Sequence, residues 1–481
     1  MESIQLPRSN PEEQGVLSSG ILAFIDAVEK QAKGKRCKEL HNFMLLRHGY
    51  VVAEGWCSPY VPERPHMLFS LSKSFTSTAI GLAISEGLLS VDDSVISFFS
   101  EDVPENISEN LAGMKVRHLL SMSTGNSKDT MAYLHSRKDG NWVRGFFDAL
   151  VEYAPGTHFL YNTGATYMLS AILQNVSGQK LIDYLRPRLF EPLGIENPTW
   201  ETCPRGINTG GFGLSIKTED IARFGQLYLQ KGFWNGRQIV PQAWVEDAVS
   251  SQISNGSNPD SEWEQGYGYQ FWRCRYNVYR GDGAFGQYCV VMPDQDAVIA
   301  INSGLNDMQA ILNLFWEHLL PAMKDKPLPE DADVQKILKD RLASLMLPLP
   351  EGRQFSAVGN DVSGRKYILE QNSLKFKDIT FVFKNDECTV TLQTKANLYK
   401  IRCGIGKRIE GLAPFRDRGM VAAVSGIWKD DAVFVIEMHF IETPFCITLS
   451  CSFDGDELRI VSEISVGFDE NRRHSLKGTR A

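Results

Sequence analysis

The hydrophobic pattern of this chain changes once, near Pro321, and that change limits the folds open to it. Before this point helical and strand patterns alternate, and after Gly359 the chain consists of short strand-like runs such as ITFVFKND and AVFVIEMHF. The segment between them is rich in proline and charge, which is typical of a linker. We therefore predict one domain over residues 1–325, a linker over 326–358 and a second domain over 359–481.

The first domain has strand patterns at both ends and helical patterns in its middle. Residues 43–56 predict two strands around a turn at His48-Gly49, and strand patterns return at 267–280 and 287–301. Helical spacing is found over 18–34, 73–87, 165–178, 181–190, 218–232 and 310–320. This order predicts an α/β domain (an α+β sandwich) in which an antiparallel sheet joins both ends of the segment. Helices flank the sheet, and a helical subdomain is inserted between its halves.

The second domain shows strands at near-regular spacing, separated by turn residues. Asp454-Gly455 favours a tight hairpin, and Asn385-Asp386 marks another turn. This pattern predicts an all-β, barrel-like domain or an antiparallel sandwich. It contains no candidate site, so two roles stay open. Its strands cover the mouth of a site in the first domain, or they form the contact of a homo-oligomer.

Composition excludes several classes of protein. The chain is 43% hydrophobic and 22% charged, which is typical of a globular protein rather than a disordered one. Its net charge of -8 gives no support for a nucleic-acid partner, and we interpret the basic cluster at 472–480 as a solvated tail. No uncharged run approaches the ~20 apolar residues of a spanning helix. We therefore expect neither a nucleic-acid nor a membrane partner.

The first residues and the cysteines favour a cytoplasmic location. MESIQLPRSNPEEQG has early charges and lacks the apolar stretch of a secretory signal. The nine cysteines are scattered without a C-x-x-C pair, which favours reduced thiols over a disulfide framework. We expect a cytoplasmic protein.

The pattern Ser-x-x-Lys occurs three times, and one occurrence opens an apolar helix. Ser70 and Lys73 begin the run SLSKSFTSTAIGLAISEG, whereas the matches at 177–180 and 363–366 lie at a helix end and in a turn. On a helix this spacing brings both side chains to one face. A serine hydroxyl needs a nearby base to act as a nucleophile, and burial can lower a lysine pKa enough for that role. The plainer interpretation, an N-cap serine followed by a surface lysine, also stays open at this point.

Residues 281–286 match the dinucleotide-binding pattern G-x-G-x-x-G letter for letter. Such a site needs a helix directly after the glycines, because the helix N-terminus holds the pyrophosphate. The residues that follow, QYCVVMPD, predict a strand instead, and we reject a dinucleotide cofactor. No metal-binding motif occurs either, so we expect no metal and no other cofactor.

Three segments, in order, resemble the serine β-lactamase-like hydrolases over residues 10–320. They are Ser70-x-x-Lys73, Tyr161-Asn162-Thr163 in the place of the family's Y-x-N, and Gly281-Asp282-Gly283 in the place of K-T-G or H-x-G. The family includes class C β-lactamases, D-alanyl-D-alanine carboxypeptidases, esterases and amidases. The chain looks most similar to the esterases and the 6-aminohexanoate-dimer hydrolase type, in which third motifs are looser.

The resemblance implies a role for each segment. Ser70 would be the nucleophile, Lys73 the activating base and Tyr161 a proton shuttle to the leaving group. A Lys73 cation would favour the Tyr161 phenolate, and which of the two holds the proton stays undecided. The oxyanion hole would consist of the backbone N–H groups of Ser70 and Ala284. The remaining substrate-side residues would be those of the second and third segments, Asn162, Thr163, Asp282 and Gly283.

Two departures from the family pattern shape the expected chemistry. Thr163 stands in the place of the family's Asn, and Gly281 replaces the Lys or His that in β-lactamases helps to hold the substrate carboxylate. We therefore expect hydrolysis of a small ester or amide through an acyl-serine intermediate. Two alternatives stay open: a non-catalytic member of the fold that binds a ligand or peptide, and a true β-lactamase or peptidoglycan peptidase.

Overall fold

The computed structural model describes residues 5–32, 38–416, 418–469 and 471–481. Gly34, at the end of the first predicted helix, and Cys37, one of the nine cysteines, lie outside these ranges. Up to residue 305 the strands are β1 Lys38–Arg47, β2 Tyr50–Trp56, β3 His66–Met67, β4 Thr199–Trp200, β5 Leu214–Ile216, β6 Phe233–Trp234, β7 Arg237–Gln238, β8 Trp272–Arg273, β9 Tyr279–Gly283, β10 Gln287–Met292 and β11 Ala297–Leu305. The α-helices up to residue 314 are α1 Ser18–Ala32, α2 Ser72–Ser85, α3 Glu109–Ala112, α4 Val116–Leu120, α5 Met131–Ser136, α6 Trp142–Phe147, α7 Thr163–Ser177, α8 Leu181–Leu185, α9 Glu191–Leu193, α10 Thr218–Leu229, α11 Gln242–Val249 and α12 Met308–Leu314.

One antiparallel sheet joins both ends of this part of the chain, as predicted. Its order is β2-β1-β11-β10-β9-β8, so β11 pairs with β1 across the sequence. Successive residues of β1 face opposite cores. Phe43 and Leu45 pack with residues of α1 and α12, whereas Met44 and Leu46 pack with residues of the inserted helices. Both faces of the sheet are therefore buried, which explains the apolar runs at 43–46, 288–292 and 297–301 in its central strands.

The residues between β2 and β8 form the predicted helical insertion. α2 is buried from Ser72 to Ala83 and packs against α7, so the insertion surrounds it. α7 and α10 lie where helices are predicted, within a few residues at each end. Ser70 differs from the prediction, because it lies in the 3-10 turn Phe69–Leu71 and the α-helix begins only after it.

The predicted strand over 267–280 is a hairpin. β8 has only two residues, and the chain then turns through Tyr276 and Asn277, which both have positive φ, before β9 begins. The apolar residues of this stretch imitate a strand pattern because they are buried, not because they are all extended. A 3-10 turn at Pro293–Gln295 likewise divides the predicted strand over 287–301 into β10 and β11.

The predicted linker contains two helices that contact different neighbours. α13 Ala332–Ala343 buries Leu338 in the core shared with α1, and it packs against β2. α14 Ala357–Val362 packs against the second domain through Val362. As far as the chain is described, no helix combines the length and the apolar run that a membrane crossing needs.

The second domain is a closed barrel, so the sandwich alternative is wrong. Its strands pair antiparallel in the order β15-β14-β13-β12-β21-β20-β19-β18-β17, and a parallel contact of β15 with β17 closes the ring. β16 pairs with the first half of β17 and also contacts β15, so it lies beside the point where the ring closes. The strands are β12 Lys366–Leu369, β13 Phe376–Lys384, β14 Glu387–Thr394, β15 Leu398–Ile405, β16 Ile409–Phe415, β17 Arg418–Trp428, β18 Val433–His439, β19 Cys446–Asp454, β20 Glu457–Ile464 and β21 Arg473–Arg480.

The barrel contacts the first domain beside Ser70. The backbone N–H of Met67 donates to the carbonyl of Glu442 at 2.9 Å, and the ring of Phe69 lies edge-on to Phe445. Both partners belong to the loop between β18 and β19. This loop of the barrel therefore forms part of the surroundings of the Ser70 turn.

Candidate active site

Ser70 lies in the middle of the turn that leads into α2 and is half-buried. Phe69, just before it, has a φ of 50°, a left-handed conformation that costs a residue with a side chain about 1–3 kcal/mol. The Phe69 ring packs against Phe285, Phe445 and Phe468. These contacts hold the strained residue in one conformation, and they thereby fix the orientation of the serine that follows.

Lys73 lies one helical turn beyond Ser70, and its side chain is bound on several sides. Nζ donates to Ser70 Oγ at 3.1 Å, to Thr163 Oγ1 at 3.4 Å and to the carbonyl of Gly211 at 2.7 Å. Lys73 is only 1% exposed, and burial lowers its pKa to about 7 although nearby carboxylates act in the opposite direction. Near neutral pH a large share of this amine is uncharged and can accept a proton.

Tyr161 approaches Ser70 from the segment before α7. Its hydroxyl is near enough to that of Ser70 to act on the pKa of Tyr161, and Lys73 Nζ lies 4.9 Å from the centroid of its ring. Burial, reinforced by Asp282, raises the pKa of Tyr161 above its ordinary value. This direction is opposite to the expected phenolate, because loss of hydration outweighs the effect of a neighbouring cation. The structure therefore brings Ser70, Lys73 and a protonated Tyr161 together.

Thr163, not Asn162, contacts Lys73. Thr163 is the first residue of α7, and its hydroxyl accepts the hydrogen bond from Lys73. The side chain of Asn162 is fully buried, and its Oδ1 accepts hydrogen bonds from the backbone N–H and the hydroxyl of Thr130. Its Nδ2 donates to two further side chains of the same loop. Asn162 thus anchors the start of α7, and the structure does not place its amide toward Ser70.

The third segment passes close to the Ser70 turn. A Cβ on Gly283 would lie 2.0 Å from the carbonyl oxygen of Leu68, so only a glycine permits this approach. A Cβ on Gly281 would lie 2.6 Å from the hydroxyl of Ser74 on α2. This position therefore has no room for the Lys or His of the family pattern. Ala284 follows directly and is half-buried.

Asp282, between the two glycines, is paired with a buried cation. Its Oδ2 accepts from Nη2 of Arg280 at 2.9 Å and from Nε at 3.1 Å, and Arg280 is fully buried. The guanidinium also lies over the ring of Trp263, 4.6 Å from its centroid. Burial raises the pKa of Asp282 despite the opposing effect of Arg280. The carboxylate raises the pKa values of both Lys73 and Tyr161, so it favours the protonated form of each.

Comparison with known proteins identifies the family of this chain. The sequence profile of the Beta-lactamase family matches residues 40–310, from within β1 to within α12. The chain belongs to the Beta-lactamase family.

Individual relatives cover different parts of this Beta-lactamase family member. The 6-aminohexanoate-dimer hydrolase of Paenarthrobacter ureafaciens is 28% identical over 281 residues, which are 53% of this chain and 70% of the relative. The structure of EstCE1, a hydrolase with promiscuous acyltransferase activity, has a TM-score of 0.51 at 16% identity over 62% of this chain and 99% of its own. The structure of SurE has a TM-score of 0.51 at 15% identity and covers 96% of this chain and 99% of its own. The last likeness shows that structural similarity to a known protein extends over nearly the whole chain, beyond the residues that the family profile matches.

Three features of this Beta-lactamase family site were missed by the sequence analysis. Asp129 accepts from the backbone N–H of Thr163 at 3.0 Å and acts on the pKa of Lys73. The carbonyl of Gly211 accepts the shortest hydrogen bond of Lys73, and the aromatic cluster around Phe69 holds the turn. The glycine-rich run at 210–213 was a visible signal, but no spacing rule connects it, or Asp129, with a lysine so far away in sequence.

Proposed function

We propose that this family member hydrolyses a small ester or amide in two steps, through an acyl group carried on Ser70. The supporting observation is the 3.1 Å contact between the buried Lys73 Nζ and Ser70 Oγ, because it places an amine with a pKa of about 7 beside a hydroxyl. A base in this position typically contributes about 10²–10⁴-fold to the rate.

In the first step Ser70 Oγ attacks the substrate carbonyl carbon, and neutral Lys73 accepts the hydroxyl proton. The phenol of Tyr161 donates its proton to the oxygen or nitrogen of the leaving group as the bond to the carbonyl carbon breaks. Lys73 then returns its proton to the Tyr161 phenolate. An alcohol or amine leaves, and an ester on Ser70 remains.

In the second step a water molecule attacks the acyl ester. Lys73, neutral again, draws the proton from the water through the same hydrogen bonds, and Ser70 regains a proton as the carboxylic acid leaves. In both steps the negative oxygen of the tetrahedral intermediate binds the backbone N–H groups of Ser70 and Ala284. The close approach that Gly283 permits supports this assignment, since it keeps β9 against the Ser70 turn.

Turnover and covalent labelling test this proposal together. The full chain is incubated with a panel of p-nitrophenyl esters and anilides, and separately with a fluorophosphonate probe that is located by peptide mass spectrometry. We expect turnover and a probe adduct on Ser70, and Ser70→Ala abolishes both. Ser177→Ala, which alters another Ser-x-x-Lys match, serves as the matched control and changes neither.

The same panel separates the alternatives. No turnover and no adduct would overturn the proposal in favour of a binding protein. Turnover of nitrocefin at a rate above that of every ester and anilide would favour a true β-lactamase. The lack of room for a Lys or His side chain at Gly281 supports the opposite expectation, faster cleavage of esters or anilides.

A further inference from the structure

The interior of the barrel is filled at one end and hollow at the other. At the filled end, Tyr367 and Trp428 are buried and pack with Phe453, and Phe434, also buried, packs with Trp428. At the other end a cavity of about 300 Å³ opens between the strands. This volume lies within the range of ordinary small-molecule sites.

The wall of the cavity is mainly aliphatic and aromatic. Met438 and Leu449 are buried at its base. Nearer the mouth, Tyr399, Ile447 and Ile464 line the cavity and pack against the barrel core, yet each remains only partly buried. When an apolar ligand covers apolar side chains that line a cavity and remain in contact with solvent, the free energy falls and binding is favoured.

Cationic side chains predominate at the mouth among the residues that the structure describes there. Among the described residues that line the cavity, Lys375, Arg416 and Arg472 are cationic, and Asp469 is the carboxylate among them. Nη1 of Arg472 donates to the Oδ1 of Asn306 at 2.7 Å and to a backbone carbonyl, both of which are neutral acceptors. An apolar interior with a cationic mouth is complementary to a molecule that has an aliphatic tail and an anionic head.

The cavity is separate from the catalytic site. Phe415 lines it and stacks on Phe445 at 4.9 Å, and Phe445 in turn contacts Phe69 beside the nucleophile. This row of rings forms a wall between the cavity and Ser70. A ligand in the barrel therefore does not need to touch the hydroxyl or the amine of the site.

We infer that the open end of the barrel binds a free aliphatic carboxylate of medium chain length, with its tail among the apolar side chains and its carboxylate at Arg416 and Arg472. This inference goes beyond the proposed hydrolysis and does not depend on it. Each methylene that enters the cavity strengthens binding about fourfold, so decanoate binds more tightly than octanoate until the cavity is full.

Calorimetric titration of the full chain with three ligands of equal tail length tests the inference. We expect decanoate to bind, decanol to bind about tenfold more weakly and decyltrimethylammonium to show no measurable binding. Equal binding of all three, or no binding of decanoate, would overturn the inference. So would association of the protein with phosphatidylglycerol vesicles in place of free decanoate, because the ligand would then be a membrane lipid.

Variants locate the site. Met438→Trp fills the base of the cavity and abolishes decanoate binding. Arg416→Ala combined with Arg472→Ala weakens it about tenfold and leaves the fold intact, since both residues lie at the mouth. Arg402→Ala removes an arginine from the exposed face of β15 and has no effect, which makes it the matched control. Ser70→Ala also leaves decanoate binding unchanged, and a loss of binding in this variant would place the ligand in the catalytic site and contradict the inference.

Discussion

The Ser-x-x-Lys segments at 70–73 and 177–180 share a sequence pattern but not an environment. Lys73 is buried and donates to Ser70, whereas Lys180 is exposed at the start of α8. Ser177 ends α7, and its hydroxyl donates to the carbonyl of Leu173 at 2.6 Å. In the second segment the serine hydroxyl bonds to the backbone of its own helix, and the lysine is exposed to solvent.

The difference shows that the Ser-x-x-Lys spacing alone does not make a reactive pair, because burial is what lowers the pKa of the lysine. In the first segment the turn continues into α2, so three residues bring the amine to the hydroxyl, whereas in the second segment the helix ends at Ser177 and Gly178 turns the chain away. Lys73 is surrounded by protein atoms rather than by solvent, and this loss of hydration lowers the pKa of its amine toward neutrality. The third match agrees, because Lys366 is exposed and forms an ion pair with Asp378 at 3.1 Å.

The sharpest test of this comparison replaces the two lysines in turn. Lys73→Met removes the base from the buried segment, and we expect ester turnover, measured as kcat/KM, to fall by about 10³-fold or more. Lys180→Met makes the same change in the exposed segment, and we expect no change in kcat/KM. A similar loss in both variants would show that the environment of Lys73 is not what matters.

A smaller loss is expected at Tyr161, the proposed proton shuttle. Tyr161→Phe keeps the ring that stacks on Trp272 and removes only the hydroxyl, so kcat should fall by about 10²-fold with little change in melting temperature. The loss should be smaller for p-nitrophenyl esters, whose leaving group needs little protonation, than for anilides. Tyr133→Phe, on an exposed tyrosine, is the control. An equal loss for esters and anilides would contradict the shuttle role.

The smallest effect concerns stability. The Lys73 pKa falls from 10.5 in the unfolded chain to about 7 in the folded protein, so protonation of this amine opposes folding. The penalty is complete below about pH 7 and disappears as the pH rises to about 10.5. We expect Lys73→Met to raise the free energy of unfolding by about 1 kcal/mol near pH 6 and by less near pH 10. Urea denaturation at the two pH values measures this, and a gain that does not depend on pH would contradict the burial argument.

The sequence predicted the parts of this protein that local patterns control. The sheet formed from both ends of the first domain, the helical insertion and the barrel follow from hydrophobic spacing and turn residues. Ser70 and Lys73 could be proposed as site residues because they are close in sequence, and Tyr161 and Gly283 because they match a family's motifs in order.

The remainder depends on tertiary contacts that no local pattern encodes. Asp129, the carbonyl of Gly211 and the ring of Phe445 reach the site from three distant parts of the chain. Asn162 was expected on the substrate side, but its amide is satisfied by buried partners that the sequence does not reveal. The raised pKa of Tyr161 also depends on how deeply the packed domain buries it, which spacing cannot give.

The rate of fluorophosphonate labelling at Ser70, followed by peptide mass spectrometry as a function of pH, tests the activation of Ser70 most directly. We expect the rate to rise about tenfold per pH unit below about pH 7 and to level off above it, because the neutral Lys73 amine is the base. In Lys73→Met the labelling should be slow and independent of pH over this range. Labelling that keeps its rate and pH profile in Lys73→Met, or a label on another serine, would contradict the account.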